Sequence, residues 1–340
     1  MHYNFQKVVI NYCQSIFLLS LYYNTGLLLY ACILADIFQK YCGVDILILG
    51  DVTYGACCVD DYTSNKLGAD LLIHYGHSCL VPVNMTSIKV MYVFVEIYFN
   101  SSHLENTLIR NFDKQSRLAI MGTIQFTSTL HNARNKLIDS FPNIFIPQAK
   151  PLSAGETLGC TSPVLPECDS LIFVADGRFH LEAAMIRNPN ITAYRYDPYT
   201  KILSREGYDI EKMKMTRLNS IKEARKAQTF GLILGTLGRQ GSIDIYRRVK
   251  SLIESRSGIV ISFLMAEINP AKLSLITEVE VWVQVACPRL SIDWSGGFSK
   301  PILTPYELEV VLDESKWQIV YPMDYYSSEG SSWSNLTYRS

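Results

Sequence analysis

VEVWVQVACPRL, residues 279–290, opens with an apolar run, 279–287, broken only by Glu280 and Gln284, that reads as a buried strand and delivers Cys287 at its carboxyl end. Two other cysteines have the same setting: VDILILG (44–50) runs into TYGAC and Cys57, and the strand-like NIFIPQ (143–148) is followed by SAGETLGC and Cys160. In open α/β sheets the loops leaving the carboxyl ends of strands build the site. Cys57 and Cys160 lie 103 residues apart and Cys160 and Cys287 127 apart, too far for a local zinc-knuckle pair. Such thiolates meet only if three lobes face one another, and three ligands around one centre leave a coordination position open for substrate.

The remaining strand-like runs fall into the same three groups. ADLLIHYG (69–76) and VMYVFVEIY (90–98) join the first, LAIMGTIQF (118–126) and SLIFVADG (170–177) the second, FGLILGTLG (230–238) and GIVISFLMAEI (258–268) the third. Runs this continuous suit parallel strands covered on both faces. Between them, Leu130, Ala133, Leu137, Ile138 and Phe141 form one helical stripe, and Ile245, Val249, Leu252 and Ile253 another. The expected fold is α/β: three successive small α/β domains with parallel sheets around a central site. The expected boundaries are 1–115, 116–225 and 226–320, with a loose Ser- and Tyr-rich tail over 321–340. The polar stretch 111–117 is the first seam. The basic helix 210–227, with Lys212, Lys214, Arg217, Lys222, Arg225 and Lys226, is the bridge into the third lobe, its charges reading more as a solvated face than as a docking surface.

Composition narrows the function. With 340 residues, 48% apolar, and a formal net charge of −1, the chain has two or three cores and no electrostatic footprint for nucleic acid. Nine cysteines, an odd number without knuckle spacing, argue against a disulfide framework and for a reducing, cytoplasmic setting. Residues 8–35 carry no charge, yet Asn11, Gln14, Asn24, Thr25 and Gly26 interrupt them. They are expected to form a buried strand, a turn at Asn24–Gly26 and a buried helix over 27–40, rather than a membrane span.

Polar groups near other strand ends are candidates for holding a ligand. They are Arg178 and His180 in DGRFH, His74 and His77 in HYGHSC, and the glycine turn GTLGRQG (235–241) before a helix. No G-x-S-x-G elbow and no H-E-x-x-H is present, which removes the common serine and zinc hydrolase readings.

Seven blocks in order carry a more specific signal: GDVTYGACCVDD (50–61), GADLLIHYGHSCLVP (68–82), PLSAGETLGCTSP (151–163), DGRFHLEAAMI (176–186), YRYDPYTKILSRE (194–206), GLILGTLGRQGS (231–242) and VWVQVACPRLSIDW (281–294). They closely resemble the eukaryotic diphthamide biosynthesis protein 1 family, the catalytic subunits of 2-(3-amino-3-carboxypropyl)histidine synthase. The resemblance implies three homologous domains, each giving one cysteine, here Cys57, Cys160 and Cys287, to a 4Fe-4S cluster. It further implies that S-adenosylmethionine is the co-substrate and is cleaved by one electron between sulfur and the γ-carbon. The 3-amino-3-carboxypropyl radical then adds to a histidine of elongation factor 2, the first step of diphthamide formation. Implied partners are diphthamide biosynthesis protein 2 in a heterodimer and an electron donor such as diphthamide biosynthesis protein 3. Arg178, Gly238, Arg239, Gln240 and Arg289 are the candidates for contacting S-adenosylmethionine, on charge and position.

The front of the chain departs from that family. Members enter the first domain by a charged helix, a strand and a Met-Pro-Glu-Gly turn, where SLYYNTGLLLYA stands here. Two other functions compete. One is a quinolinate-synthase-like enzyme, which shares the lobes and the open-site cluster; the other is a non-catalytic scaffold like the partner subunit, which lacks the middle cysteine motif that Cys160 supplies.

Overall fold

The computed structural model describes residues 18–23, 29–49, 59–76 and 80–335. The expected turn at Asn24–Gly26, together with Cys13, Cys57, Cys58, His77 and Cys79, lies outside the described residues. The chain divides into two compact units, residues 1–95 and 96–340.

In the first unit, β1 (Leu18–Tyr23), α1 (Ala31–Cys42), β2 (Asp45–Ile48), α2 (Asp61–Lys66), β3 (Leu71–Gly76) and β4 (Lys89–Phe94) form a parallel sheet of order β2-β1-β3-β4. Side chains alternate across it. Leu19, Leu21, Leu71 and Ile73 join Ala31 and Phe38 of α1 in one core, while Leu72 packs with Leu49 and Val59 in another. Burial on both faces explains why β3 reads as a continuous apolar run. His74 is not at a strand end: it sits within β3, 1% exposed, its ring 5.6 Å from that of Tyr92.

The second unit carries two sheets. β5 (Leu118–Gly122), β6 (Ser170–Val174), β7 (Thr192–Asp197) and β8 (Ile202–Glu206) lie in that order, with only β7 and β8 antiparallel. Helix α3 (Ser102–Asn111) packs Leu104 and Leu108 into this core with α4 (Thr127–Leu137), so the seam expected at 111–117 falls inside the second unit. The run 143–148 is not a full strand. It meets β5 through a single parallel bridge, Ala119 to Phe145, with Ile120 N–H on Phe145 O at 2.9 Å and Phe145 N–H on Leu118 O at 3.0 Å. After α5 (Phe179–Arg187), the β7–β8 hairpin leads into α6 (Ile210–Ala224).

β9 (Thr229–Gly235), α7 (Ile243–Ser255), β10 (Ile259–Met265), α8 (Pro270–Ser274), β11 (Val281–Val285), α9 (Pro288–Trp294), β12 (Ile302–Leu303) and α10 (Pro305–Val311) complete a third, parallel sheet of order β10-β9-β11-β12. Ile245, Val249 and Ile253 are buried as the stripe predicts, with Leu252 half-buried. Thr304 caps α10 in a capping box with Glu307.

Two expectations give way here. On α6, Arg217 is not on a solvated face but fully buried, its Nε 2.6 Å from Glu307 Oε1 and Nη2 2.7 Å from Oε2. Its Nη1 donates to Ser291 O and its Nη2 to Ile302 O, both at 2.7 Å, and Tyr321 Oη donates to Glu307 Oε1 at 2.9 Å. A buried guanidinium is tolerated because its donors are satisfied and its charge is paired. The tail is likewise not loose through residue 335, since Tyr321, Met323, Tyr325, Tyr326, Trp333 and Asn335 are all buried. Among the described residues, no helix is long and apolar enough to cross a membrane.

Candidate metal centre

The Cys160 turn is built from the carboxyl end of β5. Gly122 N–H donates to Gly155 O at 2.8 Å and pairs with Glu156. The chain then makes a tight turn in which Leu158 N–H donates to Thr161 O at 2.9 Å and Thr161 N–H returns to Leu158 O at 3.4 Å. Gly159 and Cys160 occupy its tip. Gly159 lets the Phe179 ring approach closely, because a Cβ there would lie 2.0 Å from that ring and force it aside. Cys160 is 9% exposed, with its Sγ 3.8 Å from Thr161 Oγ1.

Cys287 follows β11 directly, at the N-cap position of α9, with Pro288 as the first helical residue. Gln284, itself fully buried, donates from Nε2 to Cys287 O at 2.9 Å and to Ser291 Oγ at 3.0 Å. The strand end and the first turn of the helix are thereby tied together around the cysteine.

Arg289 joins the two cysteine turns. Its Nη1 donates to Gly159 O at 3.1 Å and to Phe179 O at 2.8 Å, its Nη2 to Glu182 Oε2 at 2.6 Å and its Nε to Asp293 Oδ2 at 2.7 Å. The guanidinium also stacks over the Phe179 ring, 4.2 Å from its centroid. Burial disfavours charge throughout this cluster. At Arg289 the carboxylates of Asp293 and Glu182 outweigh it and hold the guanidinium's pKa up; at Asp293 burial prevails over Arg289 and pushes the carboxyl up. Arg289, expected to hold the ligand's carboxylate or nucleoside, is 3% exposed and donates to the protein's own carbonyls and carboxylates. Cys160 and Pro288 line one small cavity together with Thr304, Tyr306, Tyr321, Asp324, Tyr325 and Trp333.

The other candidates are distributed around this centre. Arg178 is half-exposed and faces Glu206 at 3.1 Å and Glu182 at 3.5 Å, so it reaches Arg289 only through the shared Glu182. Gly238 takes φ +50°, the left-handed conformation that lets the 235–241 turn close, with Arg239 half-buried beside it. Gln240 is 5% exposed, and its N–H donates to Leu237 O at 3.2 Å, so that amide serves the turn itself rather than facing outward. His180 is half-buried against Phe179.

Glu182, Asp293, Gln284 and the 321–335 segment escape a reading by strand ends. Glu182 and Asp293 do carry a signal, each lying four residues after the arginine it pairs with, Arg178 and Arg289.

A soft thiolate set suits an iron-sulfur cluster. Among the described residues, which do not include Cys57, no group of three His, Cys, Asp or Glu side chains could hold a metal. The hydroxyls of Thr157 and Ser162, on either side of Cys160 in sequence, are buried without a hydrogen-bond partner among the described residues.

The family model described as "Putative diphthamide synthesis protein" matches residues 24–322. The chain is 50% identical over 327 residues to 2-(3-amino-3-carboxypropyl)histidine synthase subunit 1 of Dictyostelium discoideum, covering 94% of this chain and 69% of that protein. It is 52% identical over 310 residues to the subunit of the same name from Homo sapiens, covering 90% and 70%. Among solved structures, Dph2 from Pyrococcus horikoshii with a 4Fe-4S cluster shares the fold at a TM-score of 0.78 and 24% identity, covering 94% of this chain and 92% of that one.

Proposed function

The chain belongs to the diphthamide synthesis protein family, and from that premise we propose that it is the catalytic subunit of a 2-(3-amino-3-carboxypropyl)histidine synthase. It would transfer the 3-amino-3-carboxypropyl group of S-adenosylmethionine to carbon 2 of one histidine imidazole in elongation factor 2. Cys57, Cys160 and Cys287, one from each of three α/β lobes, would hold a 4Fe-4S cluster. The observation that carries the reading is the clasp of the Cys160 and Cys287 turns by one buried arginine, at strand ends inside the blocks that mark the family.

When bound, the cluster supplies the single electron that breaks the sulfur–γ-carbon bond, leaving methylthioadenosine. The chain's own residues have simpler work. The Arg289 clasp keeps two thiols at a fixed separation, and Gln284 holds the Cys287 carbonyl so that the thiol leaves the strand end in one direction. The glycine turn around Gly238, Arg239 and Gln240 would take the polar end of S-adenosylmethionine. Alignment within about 3–3.5 Å decides which bond breaks, so rigidity of these turns is the chain's contribution to the rate. The half-exposed Arg178, at the rim, would meet the nucleoside or the acceptor protein.

The relatives' designation as subunit 1 supports a multi-subunit enzyme. The proposed partner is diphthamide biosynthesis protein 2, with a donor such as diphthamide biosynthesis protein 3 reducing the cluster, in the cytoplasm. Anaerobic co-expression with that partner, followed by ultraviolet-visible and electron paramagnetic spectra, tests the reading. A broad charge-transfer absorption and a signal on reduction are expected; an iron-free complex would contradict it.

A further inference from the structure

The tail over 321–340 is expected to be loose because it is rich in Ser and Tyr, yet residues 321–335 are not. Instead they grip both turns of the candidate site. Ser162 N–H donates to Met323 O at 2.9 Å, Tyr325 N–H to Cys160 O at 3.3 Å, and Tyr326 N–H to Thr161 Oγ1 at 2.9 Å, while Thr161 and Asp324 form an antiparallel bridge. On the other side, the backbone carbonyl of Gln240 accepts from Asn335 Nδ2 at 3.3 Å and from Tyr325 Oη at 3.5 Å.

The segment's anchor is in the third lobe. Trp333 packs on Tyr306 of α10, 4.8 Å between ring centroids, and Ser332 Oγ donates to Glu309 Oε1 at 2.9 Å. Trp333 Nε1–H then donates to Asp324 Oδ1 at 3.0 Å, which ties the anchor to the residue that bridges to the Cys160 turn. The family match ends at residue 322, so nearly all of this segment lies beyond it.

We propose that residues 321–335 are a positioning strap: Asp324, held by Trp333, fixes where the Cys160 turn stands, and Asn335 fixes the backbone of Gln240. The strap acts through those two residues, so it rests on reading Cys160 as a cluster ligand and Gln240 as part of the S-adenosylmethionine contact. Tyr325 belongs to both arms, but the side chains of Asp324 and Asn335 address them one at a time. A loosened Cys160 turn alters the cluster's surroundings, whereas a loosened Gln240 turn alters binding of the co-substrate alone.

The test uses the complex co-expressed with its partner subunit and compares Asp324→Ala, Asp324→Asn, which keeps an acceptor for Trp333, and Asn335→Ala. Readouts are iron per complex, the electron paramagnetic line shape after reduction, KM and kcat for S-adenosylmethionine, and thermal melting. Asp324→Ala is expected to lower iron occupancy or shift the g values, with Asp324→Asn restoring the wild-type spectrum. Asn335→Ala is expected to keep iron and spectrum while raising KM about three- to tenfold, the worth of one hydrogen bond, at little change in kcat. Folded Asp324→Ala with wild-type iron and spectrum, or Asn335→Ala with an unchanged KM, overturns the strap. If Asp324→Ala fails to fold, the Asn335→Ala kinetics alone decide. A wild-type complex without iron overturns the cluster reading itself, whereas iron-loaded wild type with indifferent variants overturns only the strap.

Discussion

Arg289 donates a hydrogen bond at 3.1 Å to the carbonyl oxygen of Gly159, a residue 130 positions earlier in the chain. Gly159 precedes Cys160 and Arg289 follows Cys287 by two, so this contact fixes the distance between two cysteine turns that belong to different sheets. Phe179 completes the clasp, its ring lying under the guanidinium and against the missing Cβ of Gly159.

Disturbing the clasp should loosen the site before it unfolds the protein. Gly159→Ala forces the Phe179 ring away from Arg289, an overpacking cost of about 1–3 kcal/mol. Arg289→Lys keeps the charge but loses the fork that reaches Gly159 O, Glu182 and Asp293 together. Both variants should lose iron faster than wild type when challenged with a chelator. Equal loss rates would remove the clasp from the account.

The cysteines should divide sharply. Cys57→Ala, Cys160→Ala and Cys287→Ala are each expected to lose most of the iron and all activity, and Cys58→Ala, Cys79→Ala and Cys168→Ala to keep the cluster. A full four-iron cluster in Cys160→Ala, measured by iron analysis and Mössbauer spectroscopy, would break the three-lobe assignment.

The Arg217–Glu307 pair should be the costliest ion pair to break. Both side chains are fully buried, and removing one partner strands the other charge, about 3–5 kcal/mol. Arg217→Ala and Glu307→Ala should therefore lower the denaturation midpoint far more than Arg225→Ala, whose exposed pair with Asp313 contributes about 0–1 kcal/mol. Comparable midpoints for Arg217→Ala and Arg225→Ala would refute this ranking.

Glu206 links part of the stability to pH. Burial pushes its carboxyl up, but hydrogen bonds from Ser204 and Arg195 and the charge of Arg178 outweigh burial and hold it below the ordinary 4.5. A carboxylate lowered in the folded state stabilises above its unfolded value, and that contribution disappears as pH falls through the folded one. Below about pH 4.5 the wild type should thus lose stability more steeply than Glu206→Gln. Parallel melting-temperature curves for the two proteins would contradict it.

What was legible in the sequence follows from what each element buries. β3, β6, β9 and β11 read clearly because both their faces are covered and nearly every position is apolar. β7 and β8 were missed because TAYRYD and ILSRE mix polar groups into a half-exposed antiparallel hairpin, leaving no continuous run. The run 143–148 misled in the opposite way, its Ile144 buried by packing while its backbone pairs at only one bridge. At the site, Cys287 could be picked out because it stands just past a strand end, whereas Cys160 was picked out from the 143–148 run, which pairs at only one bridge. The role of Arg289 could not, since charge alone does not distinguish a ligand contact from a clasp made with carbonyls far away in sequence. Arg217 on a basic helix and the aromatic anchors of the 321–335 strap were hidden for the same reason: their partners, Glu307 and Tyr306, are distant along the chain.

The central claim is that this chain directs cleavage to the γ-carbon of S-adenosylmethionine. The most direct measurement is liquid chromatography of the quenched anaerobic reaction of the cluster-loaded complex with a reductant and S-adenosylmethionine, without acceptor protein. Methylthioadenosine, together with small fragments such as 2-aminobutyrate, is the predicted outcome. Formation of 5′-deoxyadenosine as the main nucleoside, or no cleavage at all by a complex that carries its cluster, would contradict the account.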